Sequence, residues 1–127
     1  MKNAKKFVLA GLLASVLAGT ASVSHARACT HSFSSQYMGS TKAGNTDVVV
    51  SPFTQTCSGG MHGEITLDGG GNRLWLQIEK EVNGIWTVMT KGSSISYPGE
   101  PGRYRFTINN YASMGIARWT LKYSTMM

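Results

Sequence analysis

Leu74-Trp75-Leu76-Gln77-Ile78-Glu79-Lys80-Glu81-Val82-Asn83-Gly84-Ile85-Trp86-Thr87-Val88-Met89 is the stretch on which the fold reading turns. Leu74, Leu76 and Ile78 alternate with Trp75, Gln77 and Glu79, the period of a strand that buries one face and wets the other. Asn83-Gly84 follows at once. Both central positions of a type I′ turn need positive φ, which Asn and Gly tolerate best. With β-branched and aromatic residues resuming at Ile85 to Met89, the segment predicts a β-hairpin.

The same period extends outward in both directions. Upstream, Asp47 to Phe53 is a β-branched run that ends just before Cys57, and Met61, Ile65 and Leu67 alternate with His62, Glu64, Thr66 and Asp68. Gly69-Gly70-Gly71-Asn72 breaks the chain between this strand and the hairpin. Downstream, Lys91 to Ser94 reads as a loop, Ile95-Ser96-Tyr97 as a short strand, and Pro98-Gly99-Glu100-Pro101-Gly102 as a rigid turn excluded from any central strand. Arg103 to Ile108 then buries Tyr104, Phe106 and Ile108, and Ile116 to Ser124 buries Ala117, Trp119, Leu121 and Tyr123. No window carries the i, i+3, i+4, i+7 stripe of an amphipathic helix. Seven to eight short strands predict an all-β fold, a small antiparallel β-sandwich with jelly-roll-like topology. An up-and-down barrel is the alternative, because alternation does not reveal which strands pair.

The N-terminus differs in kind. Lys2, Lys5 and Lys6 precede an apolar run from Phe7 to Gly19 and a small, weakly polar segment, Thr20 to Ser24, the layout of a secretory signal peptide. The run is too short to span a bilayer, which takes roughly 20 residues. Cleavage is expected after Ala26, with Ala28 as the other site. Arg27 stands where a lipidation signal before Cys29 would want a small residue. Residues 27–127 are then a single domain, secreted or periplasmic. Three of the twelve Lys and Arg leave with the signal, so nine face six Asp and Glu, a net charge of +3. So small an excess is chiefly a matter of solubility. Cys29 and Cys57 are the only cysteines, and in an oxidising compartment they predict one disulfide. Closing a loop of that length stabilises by about 3 kcal/mol in the chain-entropy account.

Tyr97 to Ile108, a glycine-containing loop, and Ala117-Arg118-Trp119-Thr120-Leu121-Lys122-Tyr123 resemble the closing strands of bacterial pre-peptidase C-terminal domains. That family ends in a proline-glycine turn, a strand with a central aromatic, a glycine-bearing loop and a last strand of the form aromatic-Thr-Leu. Leu74 to Ile78 occupies the place of its central apolar strand. The resemblance covers about half of residues 27–127. It implies a secreted, non-catalytic jelly-roll sandwich of the kind that accompanies an exported hydrolase or binds matrix material. Within residues 27–127 no catalytic domain is expected, and Asp68 and Glu100 are isolated, short of the carboxylate density a Ca²⁺ site needs.

Chemistry-bearing residues are few. His31 and His62 are the only histidines after the signal, and G-x-S-x-G, H-E-x-x-H, P-loop and dinucleotide motifs are all missing. His62 and Glu64 share the polar face of one strand, so a small exported hydrolase with a His62-centred site is one reading. No cofactor and no metal site is expected. Binding is the favoured class: an exported, non-catalytic binding or accessory module for polysaccharide or a protein partner, or an inhibitor of an exported enzyme. The candidate ligand-binding residues are Trp75, Arg103, Arg105, Arg118 and Lys122. They are all outward by alternation, and the cations share a face if the last two long strands lie in one sheet. An anionic polysaccharide or an exported protein would suit such a face. Nucleic acid is not expected, since a basic and aromatic surface alone does not establish it.

Overall fold

A computed structural model describes residues 26–68 and 73–127. The expected signal peptide, Ala26 apart, and the break at residues 69–72 lie outside the described residues. Eight strands are formed: β1 (Ser32–Lys42), β2 (Thr46–Gln55), β3 (Gly59–Leu67), β4 (Leu74–Val82), β5 (Ile85–Gly92), β6 (Ser94–Gly99), β7 (Gly102–Asn110) and β8 (Ile116–Met126). They build two four-stranded antiparallel sheets, ordered β1-β8-β3-β6 and β2-β7-β4-β5. This is a jelly-roll sandwich, and the two separate sheets exclude the up-and-down barrel. No helix among the described residues is long and apolar enough to cross a membrane.

Alternation places the core. Leu74, Leu76 and Ile78 of β4 and Tyr104, Phe106 and Ile108 of β7 meet Met61 and Ile65 of β3 and Trp119, Leu121 and Tyr123 of β8, each such side chain contributing about 1.5–3 kcal/mol of transfer free energy. The indole of Trp119 donates to Thr41 Oγ1 at 3.0 Å, which satisfies its buried N–H. Trp119 can lie flat under β1 only because position 39 is glycine: a Cβ there would come within 2.7 Å of its ring. Tyr104 donates its phenolic proton to the Glu100 carbonyl at 2.6 Å, tying the Glu100-Pro101 turn to the core. Pro98 lies inside β6, at the edge of its sheet, where a missing N–H costs no ladder bond.

Cys29 and Cys57 form the disulfide, with Cα atoms 5.1 Å apart. It joins the segment before β1 to the link between β2 and β3, and a parallel bridge between Ala28 and Ser58 lies beside it.

One sequence expectation fails here. β7 and β8 do not lie in one sheet: the chain crosses from one layer to the other between them. Arg103 and Arg105 therefore face outward from the β2-β7-β4-β5 sheet, while Arg118 and Lys122 face outward from the opposite side of the molecule. Alternation sets which way a side chain points, but sheet membership depends on a pairing order that no local pattern encodes.

Candidate functional site

The β4–β5 hairpin is the feature that stands out from the sandwich. Asn83 (φ 53°) and Gly84 (φ 81°) make the tight turn, as the type I′ geometry requires. The ladder between β4 and β7 ends at Lys80↔Tyr104, so Glu81 and Val82 continue past the core with β5 as partner. Val82 and Ile85, in the inward-pointing row but beyond the core, are 41% and 68% exposed. Val88, on the outer side, is exposed too. Apolar side chains thus flank both sides of a rigid tip.

The base of the hairpin is held by a network on the outer face of its sheet. Glu79 Oε1 accepts from Arg105 at 2.8 Å, and Glu79 Oε2 accepts from the Thr107 hydroxyl at 2.8 Å and from Gln77 Nε2 at 3.2 Å. Gln77 Nε2 also donates to Thr107 Oγ1 at 3.1 Å. Arg103 pairs with Glu81 at 3.0 Å. Both guanidiniums lie over the Trp86 ring, Arg105 at 4.4 Å from its centroid and Arg103 at 5.6 Å. Such cation–π contacts between a planar guanidinium and an indole are worth about 0.5–2 kcal/mol. Glu79, expected to be a wetted residue, is buried, because its neighbours in the outer row close over it and satisfy both carboxylate oxygens.

Of the predicted ligand residues, the structure brings Trp75, Arg103 and Arg105 onto this face and leaves Arg118 and Lys122 on the other. Trp75 points outward, as alternation requires. Its ring is occupied, however: Lys91 Nζ lies 4.0 Å from the centroid, and the Tyr111 ring packs at 4.7 Å. Sequence reasoning did not single out Trp86, Val82, Ile85 or Val88. The signal was available, since Asn83-Gly84 is flanked directly by Val82 and Ile85, whereas the exposed tip of a hairpin is ordinarily polar.

On the opposite face, His62, Glu64 and Lys122 line a shallow groove of about 550 Å³ with Ser34, Gln36 and Ser124. Glu64 and Lys122 are partners across β3 and β8. His62 Nδ1 shares a 3.0 Å hydrogen bond with Ser96 Oγ. Among the described residues no hydrogen bond joins Glu64 to His62, so the carboxylate does not orient the imidazole as a catalytic triad demands. His31 stands before β1, bonded through its backbone to Met127. No group of three or more His, Cys, Asp or Glu able to hold a metal occurs among the described residues.

No family model matches the chain, and no curated protein matches it. Among solved structures, it is similar to the Yersinia pseudotuberculosis-derived mitogen, with a TM-score of 0.56 and 15% identity over 73% of this chain and 86% of that one. It is similar also to Aeromonas hydrophila PliG, a periplasmic lysozyme inhibitor of g-type lysozyme, with a TM-score of 0.49 and 14% identity over 74% of this chain and 86% of that one. At such identity the likeness to the mitogen is one of fold alone.

Proposed function

We propose that the chain is an exported, non-catalytic accessory or inhibitor module that binds a protein partner through the end of the β4–β5 hairpin. The observation that carries this reading is the pairing of exposed Val82 and Ile85 with a Trp86 ring held under two arginines. Trp and Arg are the residues most enriched at the energetic centre of protein interfaces, and rigidity there lowers the entropy lost on binding. Export is supported by the Cys29–Cys57 disulfide, which persists in oxidising compartments, and by the charged, apolar and small-residue segments of the N-terminus. The resemblance to pre-peptidase C-terminal domains points to the same non-catalytic role.

A polysaccharide suits the face less well. Sugar stacking needs a free aromatic surface, and both outward indoles already carry a cation. The arginines are likewise paired with Glu79 and Glu81, which leaves little field for a polyanion.

The test is retention of an envelope protein on immobilised chain. Wild type and Lys122→Glu should hold the same partner, while Trp86→Ala and Ile85→Ser should lose it, Trp86→Ala by roughly 30-fold or more in Kd, the scale of an interface hot spot. Equal retention by all four, or retention of oligosaccharide instead of protein, would overturn the reading.

A further inference from the structure

A sandwich has open edges, and this one guards them unequally. Among the described residues the edge strands are β1 and β6 in one sheet and β2 and β5 in the other. β2 contains Pro52, and its ladder with β7 slips at Val48/Val50 and again at Val50/Phe53. β6 has six residues and carries Pro98. The ladder of β5 slips opposite Ile78/Glu79, and a bond from the Tyr97 hydroxyl to Met89 Sδ at 3.3 Å links β5 to β6. Bulges, prolines and short length are the usual protection against strand addition. β1 has none of them: eleven residues pair with β8 without a slip, and Ser32 to Thr41 contains neither proline nor charge.

The side of the sandwich next to β1 is also unfilled. A cleft of about 400 Å³ opens between β1 and β2, lined chiefly by Phe33, Tyr37, Val50, Phe53, Tyr123 and Met126. Phe33 and Tyr37, the aromatic residues of β1's inward row, remain 45% and 43% exposed although their rings lean on Tyr123 at 6.2 and 5.7 Å. A fifth strand added to β1 would lie over the mouth of this cleft, and its inward row would complete the aromatic packing.

We infer that the added strand is β1 of a second copy, paired antiparallel about Ser35 into a continuous eight-stranded sheet. The composition of β1 is what selects this occupant. Pairing about Ser35 sets Phe33 of each copy directly across from Tyr37 of the other, an aromatic cross-strand pair made twice by the two-fold axis. Lys42 falls outside the paired segment, so no like charges meet. The surface is distinct from the hairpin end and does not depend on the function assigned to it.

Sedimentation of the purified chain should show a concentration-dependent dimer. Tyr37→Lys, which puts a charge opposite Phe33 of the other copy, should be monomeric with an unchanged far-ultraviolet circular dichroism spectrum, whereas Val88→Lys on the edge strand β5 of the other sheet should remain dimeric. Because Tyr37→Lys could also disturb the fold, Ser35→Cys provides a second reading: mild oxidation should give a covalent dimer, which Ser96→Cys on β6 should not. A wild type that stays monomeric up to about 1 mM, even one that takes up an unrelated extended peptide on β1, would overturn the inference. So would a dimer that survives Tyr37→Lys and does not crosslink through Ser35→Cys.

Discussion

The two outer faces of the sandwich come from the same period-2 pattern and have little else in common. On the β1-β8-β3-β6 sheet the outward residues mix Ser, Thr and Gln with scattered charges, Glu64 and Lys122 placed side by side across two strands and exposed. On the β2-β7-β4-β5 sheet the outward residues of β4 and β7 hold one another: Glu79 is buried beneath Arg105, Thr107 and Gln77, and Arg105 in turn covers Trp86. An outward position on a strand is thus not the same as a wetted one. Where neighbouring rows carry complementary charge and long side chains, they build a second, polar layer that stiffens the hairpin beyond it.

The largest effect expected from this contrast is on stability. Glu79→Ala strands a half-buried arginine and two donors, and should cost about 3 kcal/mol by denaturant titration, the scale of breaking a buried pair from one side. Glu64→Ala on the other face should stay within about 0.5 kcal/mol. Equal losses would erase the distinction between the faces. A finer test lies within the network. A double-mutant cycle on Arg105 and Glu79, whose side chains are 24% and 7% exposed, should give a coupling of about 1.5 kcal/mol or more. The same cycle on Arg103 and Glu81, exposed at 51% and 31%, should give no more than about 1 kcal/mol.

A separate effect belongs to the core that both faces share. Burial, and then hydrogen bonding with Tyr37, pushes the Tyr123 phenol up to about 12, against about 10 in an unfolded chain. The folded state therefore keeps the neutral phenol. Its contribution to stability is whole below about pH 10 and is lost as pH rises through 12. Tyr104, also raised chiefly by burial, acts in the same direction. Melting temperatures measured across pH 9–12 should show this loss, and Tyr123→Phe should flatten it while leaving the Glu79 and Glu64 comparison at pH 7 as it was.

How much of this could be read from residues alone differs along the chain. In β3, β4, β7 and β8, strands and buried rows were legible because large apolar side chains alternate cleanly, whereas parts of the expected Lys91–Ser94 loop and of the expected Pro98–Gly102 turn belong to the ends of β5 and β6. β1 was not: Ser32 to Lys42 carries apolar side chains only at Phe33, Tyr37 and Met38, since it lies at an open edge where little is buried to mark the period. Its contribution to the core is made by Gly39, which admits Trp119, and by Thr41, which receives the indole N–H. Neither is an apolar signal. The basic face was misjudged for a different reason, because strand direction is local information and sheet membership is not. Glu79 was misjudged because its burial comes from β7, some 26 residues away in sequence.

In the proposed function a protein partner docks at the hairpin end and the outer face behind it. A photoreactive benzoylphenylalanine at Val88, beside Trp86 on that face, tests it most directly when compared with the same probe at Thr66 on the opposite face, in the cell that makes the protein. A discrete, ultraviolet-dependent adduct to another protein is expected from Val88 and none from Thr66. An adduct from Thr66 alone, or the same adduct from both positions, would contradict it.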